Sequence, residues 1–205
     1  MMKIVFVDID TQFDFIMPQG KLYVKGAKAL IPALKRLTGV AKKFGVPIFA
    51  SLDIHIKDDP EFRRFPPHCV AGSGGQKKIL QTLLKRRVLI PQDALDKNEL
   101  FDKINNYPQL IFQKNTYDIF VNRNLSRALK PFKSAFVYGV ALDYCVKYAV
   151  HGLLKAGLKV KLIVDATKPV DAGAGKAVLS EFKTSGVQLI RAKDAASRVR
   201  EEMGE

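Results

Sequence analysis

The sequence predicts an α/β fold, a three-layer α/β/α and doubly wound domain built on a mostly parallel sheet. Short β-branched runs alternate with amphipathic stretches along the chain, which indicates repeated strand–helix units. Several of these runs are almost continuously apolar, as expected for strands that are covered on both faces. The sequence contains neither an internal repeat nor a Pro- or Gly-rich linker. We therefore expect a single domain over residues 1–205.

The pattern predicts six strands and four helices. The strands are expected at residues 3–7, 47–51, 109–113, 135–138, 159–164 and 187–190. The first helix places Leu30, Leu34 and Leu37 on one face and ends at Gly45. The other helices are expected over residues 144–156, 174–184 and 193–202. Residues 52–75 show no periodicity, and so long a loop in a compact domain is usually a functional one.

The charge balance is strongly basic, with 34 Lys and Arg residues against 20 Asp and Glu residues and a net charge of +14. Such a charge raises the question of a nucleic acid or another polyanion as partner. The basic residues are spread through short groups, however, and no interleaved aromatic platform accompanies them. We therefore expect a solvated basic surface and no nucleic-acid partner.

The amino-terminal segment and the cysteines indicate the compartment. The first residues run into acidic side chains after a short apolar stretch, unlike a signal peptide, and no apolar run approaches the length of a membrane span. We expect a cytoplasmic protein with no membrane partner. The two cysteines, Cys69 and Cys145, cannot form a disulfide framework, so each is expected to be a free thiol.

Reactive side chains follow four of the predicted strands. Since ligands bind at the carboxyl ends of the strands in open α/β sheets, the residues after each strand sample the site. The residues found there are Asp8, Asp10, Gln12 and Asp14 after the first strand, Asp53 and His55 after the second, Lys114 after the third, and residues 139–145 after the fourth. The sequence therefore predicts a reactive site at one edge of the sheet.

Cys145 lies just past a strand, in the first turn of a predicted helix. The positive end of the helix dipole would lower the pKa of such a thiol and favour a nucleophile, although most free cysteines are small buried core residues. Two neighbours favour the nucleophile. Lys114 can stabilise thiolate or oxyanion charge, and Asp10 can accept the thiol proton and return it to a leaving group.

Asp53, His55 and His68 could hold a metal ion. The first two lie at positions i and i+2 of an extended segment, so both point to one side, and His68 falls in the same irregular loop. One carboxylate and two imidazoles suit Zn²⁺, Fe²⁺ or Mn²⁺ and leave positions open for substrate. We expect His151 to be structural or exposed and Cys69 to have a packing role.

Four segments resemble the isochorismatase-like cysteine hydrolases in the same order, and within that family the nicotinamidases. DTQFDF at residues 10–15 resembles the opening motif that carries the catalytic aspartate. FPPHCVAGSGG at residues 65–75 resembles the loop with the last metal histidine. GVALDYCV at residues 139–146 resembles the nucleophile segment, and KVKLIVDA at residues 159–166 the strand that follows it.

The resemblance implies a catalytic triad of Cys145, Asp10 and Lys114. It also implies a cis peptide bond between Val140 and Ala141, which turns the backbone N–H groups of Ala141 and Cys145 into an oxyanion hole. The family chemistry is a two-step amide hydrolysis through a Cys thioester, with no organic cofactor.

The resemblance further implies that Asp53, His55 and His68 hold one divalent metal ion, with zinc ahead of iron or manganese, that binds the pyridine nitrogen of the substrate. The residues expected beside the substrate are Phe15, Phe65 and Val140. A small-molecule amide such as nicotinamide would be the substrate, with a role in NAD salvage. A homodimer or homotetramer would be the usual assembly.

Three departures from the family pattern bear on the substrate. Ile54 stands where the family often has Trp, Leu142 stands where Thr is usual, and residues 88–108 add an extra strand, turn and helix that we expect over the pocket mouth. Another small amide or ureido compound therefore stays open as the substrate. A polyanion-binding protein on a hydrolase scaffold is the alternative from a different class.

Overall fold

The computed structural model describes residues 4–204, so Lys3 of the first predicted strand lies outside the described residues. The strands are β1 (Ile4–Ile9), β2 (Ile48–Asp53), β3 (Val88–Ile90), β4 (Gln109–Lys114), β5 (Ser134–Val140), β6 (Lys159–Lys168) and β7 (Gln188–Ile190). They form a seven-stranded, wholly parallel sheet in the order β3-β4-β2-β1-β5-β6-β7. The predicted α/β fold with a parallel sheet is confirmed.

Helices cover both faces of this sheet. They are α1 (Phe13–Ile16), α2 (Ile31–Phe44), α3 (Lys97–Asn106), α4 (Leu125–Leu129), α5 (Cys145–Lys155), α6 (Ala172–Thr184) and α7 (Ala195–Met203). The core under α2 and α7 includes Ile4 and Phe6, whereas the core under α4, α5 and α6 includes Val5 and Val7. Because successive residues of a strand point to opposite faces, the apolar run of β1 supplies both cores.

Helix α2 follows the sequence pattern closely. Leu34, Leu37 and Ala41 are buried on one face of the helix. The helix ends at Gly45, whose φ of 64° is the left-handed conformation that a glycine adopts without steric cost. The predicted stop at this glycine is confirmed.

The boundaries of other elements differ by a few residues from the predicted ones. β2 runs on to Asp53 and β5 runs from Ser134 to Val140, because pairing with neighbouring strands extends them beyond their apolar cores. The last helix begins at Ala195 rather than at residue 193, after a short 3₁₀ turn over Ala192–Asp194. Among residues 4–204, no helix has the length and apolar character needed to cross a membrane.

The extra segment between His68 and Lys114 forms the predicted strand and helix, β3 and α3. Its expected position over the pocket mouth is wrong. β3 pairs with β4 at the edge of the sheet, and α3 packs beside α4, so the segment extends the sheet instead. β3 pairs with the edge of β4, and a sequence pattern alone does not show which strand edge is free to pair.

Candidate active site

The register of the sheet brings the predicted catalytic residues together. Asp53 and Lys114, the last residues of β2 and β4, are register partners. Asp10 directly follows β1, and β5 beside it ends at Val140, shortly before Cys145. Parallel strands end at the same edge, so these side chains converge there.

Lys114 lies at the centre of this group. Its Nζ is 2.9 Å from Asp10 Oδ2, 3.0 Å from Asp53 Oδ1 and 3.9 Å from Cys145 Sγ. Lys114 and Asp10 are fully buried. A buried lysine needs such partners to remain charged, and the ammonium group in turn compensates two carboxylates. The structure thus gathers the three predicted triad residues.

Asp10 is held in an unusual backbone conformation. Its φ is 47°, in the left-handed region that non-glycine residues rarely adopt. The Asp10 N–H donates to Ser51 Oγ at 2.9 Å, and the Ser51 hydroxyl lies 2.5 Å from Asp10 Oδ1. Ser51 therefore contacts both the backbone and the side chain of the aspartate.

The electrostatics of the triad differ from the sequence prediction at the thiol. Burial raises the pKa of Cys145 well above its ordinary value, Lys114 opposes this, and the charges of Asp10 and Asp53 add to it. The predicted lowering of the Cys145 pKa by the helix dipole is therefore wrong in direction. Although Cys145 is partly exposed to the pocket, the atoms packed around its sulfur desolvate the thiolate. Burial of the sulfur therefore outweighs the charge of Lys114 at this thiol.

The predicted metal ligands form a second, adjoining group. Asp53, His55 and His68 are buried, and one ligand atom from each lies within 4.8 Å of the others. Asp53 Oδ2 is 2.9 Å from His55 Nε2 and 3.4 Å from His68 Nε2. Outside this group, His68 Nδ1 lies 2.8 Å from the Pro66 carbonyl oxygen, which fixes the orientation of the ring.

Charge compensation around Asp53 explains how the carboxylate stays ionised inside the protein. Burial raises the pKa of Asp53, but Lys114 and the hydrogen bonds of His55 and His68 outweigh it, so the pKa is lowered overall. Burial lowers the pKa of His55, while its hydrogen bond to Asp53 and the Asp53 charge raise it, to about 9. The Asp53 carboxylate therefore stays ionised, with the two imidazoles facing it.

Side chains of the segment after β1 hold both the end of β2 and the loop that carries His68. Gln12 Nε2 donates to the Asp53 carbonyl oxygen at 2.8 Å, and Gln12 Oε1 accepts the Asp53 N–H at 2.7 Å. Asp14 Oδ2 accepts the Cys69 N–H at 2.7 Å, beside His68. Cys69 itself is buried in the core, in agreement with its predicted packing role.

The two groups open onto one cavity of about 120 Å³. Asp10, Lys114 and Cys145 line it together with Asp53 and His68. The other residues of the wall are mainly apolar or aromatic, and they include Phe15, Leu22, Tyr23, Val24, Phe65, Tyr117, Val140, Ala141 and Tyr144. The predicted substrate contacts Phe15, Phe65 and Val140 all lie in this wall.

The peptide bond between Val140 and Ala141 is cis. Among residues 4–204, neither the Ala141 N–H nor the Cys145 N–H donates a hydrogen bond to a protein acceptor. The Cys145 N–H belongs to the first turn of α5, whose N–H groups have no partner within the helix. Both N–H groups are thus available beside the thiol.

Sequence reasoning missed several residues of the site. Ser51 was hidden inside a predicted strand, and Tyr117 and Tyr144 gave no signal apart from their closeness to Lys114 and Cys145. Glu61 lines the cavity, with Oε1 4.0 Å from His68 Nε2, and an acidic residue in the irregular loop was its only signal. His151 is exposed and pairs with Glu181 outside the site, as predicted.

Known proteins resemble this chain over most of its length. The family model described as Isochorismatase domain matches residues 4–194. The nicotinamidase/pyrazinamidase of Mycobacterium tuberculosis is 26% identical over 193 residues, covering 89% of this chain and 95% of that protein. The nicotinamidase of Acinetobacter baylyi is 26% identical over 211 residues, covering 93% of this chain and 92% of that protein.

A solved structure shares the architecture at similar identity. The pyrazinamidase of Pyrococcus horikoshii, crystallised in complex with zinc, superposes with a TM-score of 0.76 at 25% identity, covering 92% of this chain and 99% of that one. The chain belongs to the isochorismatase family, and within it resembles the nicotinamidases. It is an enzyme of the amidohydrolase class.

Proposed function

We propose that this enzyme hydrolyses nicotinamide, or a similar heteroaryl amide, to the acid and ammonia. The observation that carries the proposal is the shared cavity, whose wall contains Cys145, Asp10 and Lys114 together with Asp53 and His68 of the proposed metal site. A substrate with a carboxamide and a ring nitrogen can contact both groups at once. The relatives that are named nicotinamidases favour the same substrate class.

The donor set fits a divalent cation. Asp53, His55 and His68 offer one carboxylate oxygen and two imidazole nitrogens in a buried cluster, the ligand types that zinc prefers. Lys114 and the hydrogen bonds of the two histidines lower the pKa of Asp53, so its carboxylate is ionised and can serve as a ligand. When bound, the metal would accept the ring nitrogen of the substrate and so orient the ring. The zinc complex of the Pyrococcus pyrazinamidase supports zinc.

The acylation step uses the triad as follows. Asp10 takes the proton of the Cys145 thiol, and the sulfur attacks the carboxamide carbon, forming a C–S bond. The developing oxyanion accepts hydrogen bonds from the Ala141 and Cys145 N–H groups. The tetrahedral species then collapses, the C–N bond breaks, and Asp10 returns the proton to the departing ammonia.

Hydrolysis of the thioester completes the cycle. Asp10 removes a proton from a water molecule, whose oxygen attacks the thioester carbon, and the same N–H groups stabilise the second oxyanion. The C–S bond breaks, the carboxylic acid leaves, and the sulfur recovers the proton from Asp10. Lys114 Nζ lies 2.9 Å from the Asp10 carboxylate and holds it in place between these steps.

The pocket wall favours a flat aromatic amide over a ureido acid. Phe15 and Phe65 both contact the His68 ring, with centroid distances of 5.4 and 6.5 Å, so a heteroaryl ring can lie among aromatic neighbours. Lys114 is the one cation that lines the cavity within residues 4–204, and two carboxylates already pair with it. Apart from a bound metal ion, the described wall therefore offers a substrate carboxylate no cation that is not already paired.

Ammonia release from nicotinamide tests the proposal. We expect turnover by the wild type and a loss of at least about 10³-fold in kcat for Cys145→Ala. Comparable turnover by the alanine variant would overturn the mechanism. If the wild type released ammonia from neither nicotinamide nor pyrazinamide, the substrate assignment would fail, and a panel of ureido compounds would identify the alternative.

Elemental analysis tests the metal separately. We expect one equivalent of a divalent metal in the wild type and its loss in His68→Ala. The matched control is His151→Ala, because His151 is an exposed histidine that pairs with Glu181 outside the ligand cluster. Equal metal content in the His68 and His151 variants would contradict the assignment of the ligands.

A further inference from the structure

A second buried ion pair lies behind the triad, and the proposed chemistry does not use it. Lys78 Nζ is 3.2 Å from Asp8 Oδ2, and both side chains are almost wholly inaccessible. Asp8 lies on β1, two residues before Asp10, and Lys78 lies on the segment that pairs in antiparallel fashion with Gln12. The pair thus joins the catalytic strand to the segment beside it.

Stability alone does not account for this pair. Desolvation of two charges offsets most of their attraction, so a buried ion pair contributes little net stability compared with apolar residues. Among the described residues, Asp8 Oδ1 and the hydroxyl of Tyr138 have no hydrogen-bond partner. Burial raises the pKa of Asp8 and the charge of Lys78 opposes it, so the carboxylate depends on the lysine. Net stability therefore does not explain why two charged side chains are buried here.

The contacts of the pair lead to Asp10 along two routes. Lys78 Nζ donates to the Ser51 carbonyl oxygen at 3.1 Å, and Ser51 Oγ contacts the backbone N–H and the carboxylate of Asp10. On the other side, Thr11 Oγ1 donates to Asp8 Oδ2 at 3.1 Å, and Thr11 is the next residue after Asp10. Ser51, which accepts the Asp10 N–H, and Thr11, which follows Asp10 in the chain, thus both contact the same ion pair.

We infer that Asp8, Lys78 and Ser51 are positioning residues that hold Asp10 in reach of Cys145 and Lys114. The inference rests on the proposed function in so far as Asp10 is the acid/base of the reaction. Lys78 contacts Asp8 on β1 and the Ser51 carbonyl oxygen on β2, and so holds the ends of the two strands together. The Ser51 hydroxyl in turn holds the Asp10 carboxylate. Asp10 must move a proton to and from three atoms in turn, so a small displacement lowers the rate of each step.

The first test replaces both charges together, with Asp8→Asn and Lys78→Met, so that no buried charge is left without a partner. We expect kcat to fall by about tenfold or more while KM changes by less than about twofold, because the substrate pocket and metal ligands are untouched. The matched control is Lys161→Met with Glu202→Gln, which removes an ion pair that joins β6 to α7 away from the cavity. It should lower the Tm without changing kcat.

Ser51 provides a second test that leaves every charge in place. We expect Ser51→Ala to lower kcat by about tenfold and Ser51→Thr, which keeps the hydroxyl, to recover most of it. In the background of the paired replacement, Ser51→Ala should cost less than in the wild type, because both changes act on Asp10 through the same contacts. Equal costs in the two backgrounds would contradict the shared route.

Crystal structures of the wild type and the paired variant separate this inference from the substrate assignment. We expect the Asp10 carboxylate of the variant to lose its 2.9 Å contact with Lys114. An unchanged Asp10 in that structure, or a kcat within about twofold of the wild type, would overturn the inference. A wild type that fails to hydrolyse nicotinamide would overturn the proposed function instead, and the position of Asp10 would still decide the positioning role.

Discussion

The proposed catalytic triad and the proposed metal ligands lie side by side, but the chain holds them in different ways. Asp10, Lys114 and Cys145 follow or end the strands β1, β4 and β5, so the sheet itself sets their separation. Of the metal ligands, only Asp53 belongs to a strand. His55 and His68 belong to the irregular loop, which is held by a single β-bridge between His55 and Val70 and by side-chain hydrogen bonds.

This difference indicates where each half of the site is vulnerable. Sheet hydrogen bonds are many and cooperative, so the backbone pairing sets the positions of the strand ends that carry the triad, while Ser51 and the ion pair behind it act on the Asp10 side chain. The metal loop is instead tied to the segment after β1 at few points: Asp14 Oδ2 accepts the Cys69 N–H and the Asp14 N–H donates to the Gly75 carbonyl oxygen, while Gln12 bonds the backbone of Asp53 at the end of β2. Lys114 alone belongs to both halves, because it pairs with Asp10 and with Asp53.

The largest expected effect is that of Lys114→Met, which would break the link between the two halves. Two buried carboxylates would lose their cation, which costs about 3–5 kcal/mol of the free energy of unfolding. We expect kcat to fall by at least about 10³-fold. Chemical denaturation and ammonia release measure the two effects. The control is Lys103→Met on α3, which removes a surface pair with Glu99 and should change the unfolding free energy by less than about 0.5 kcal/mol.

A smaller and more selective effect is expected for Gly75→Ala, which tests the fastening of the metal loop. A Cβ at residue 75 would lie 2.1 Å from Asp14 Oδ2, the oxygen that accepts the Cys69 N–H. The carboxylate must move, and the support of His68 moves with it. We expect the metal affinity to fall by about 10–100-fold.

Competition with a chelator measures that affinity, and Gly74→Ala is the matched control, because a Cβ there meets no atom within 4 Å. The alkylation rate of Cys145 should stay within about twofold of the wild type in both variants, since the triad is held by the sheet. If Gly75→Ala lost its thiol reactivity together with its metal, the two halves would not be independent in the way the contacts indicate.

From the sequence, the residues that the sheet brings together could be predicted better than the side-chain contacts around them. Asp10, Asp53, Lys114 and Cys145 follow strands, and parallel strands end at one edge, so their meeting could be derived from the pattern. Ser51 could not be predicted, because its partner Asp10 lies 41 residues away and a serine inside a strand carries no signal. The family resemblance, rather than periodicity, fixed the role of each ligand.

Two predictions failed because they used local rules for effects that depend on the whole fold. The helix N-terminus favours a thiolate at Cys145, but burial of the thiol outweighs it. The strand and the helix of residues 88–108 were predicted correctly, but their position was not, because β3 pairs with the edge of β4. Desolvation and edge pairing are both long-range properties that a sequence window does not contain.

The last prediction changes no residue; it concerns the thiol itself and sharpens the electrostatic side of the comparison. Because burial raises the pKa of Cys145 well above its ordinary value, the neutral thiol predominates at neutral pH. Below the pKa, the thiolate fraction rises about tenfold with each pH unit, and the rate of alkylation by iodoacetamide should follow it between about pH 6 and pH 9. Peptide mapping separates Cys145 from the buried Cys69. A rate that levelled off near pH 7 would instead indicate a thiol whose pKa the helix dipole and Lys114 had lowered, and proton transfer to Asp10 would then be unnecessary for the attack.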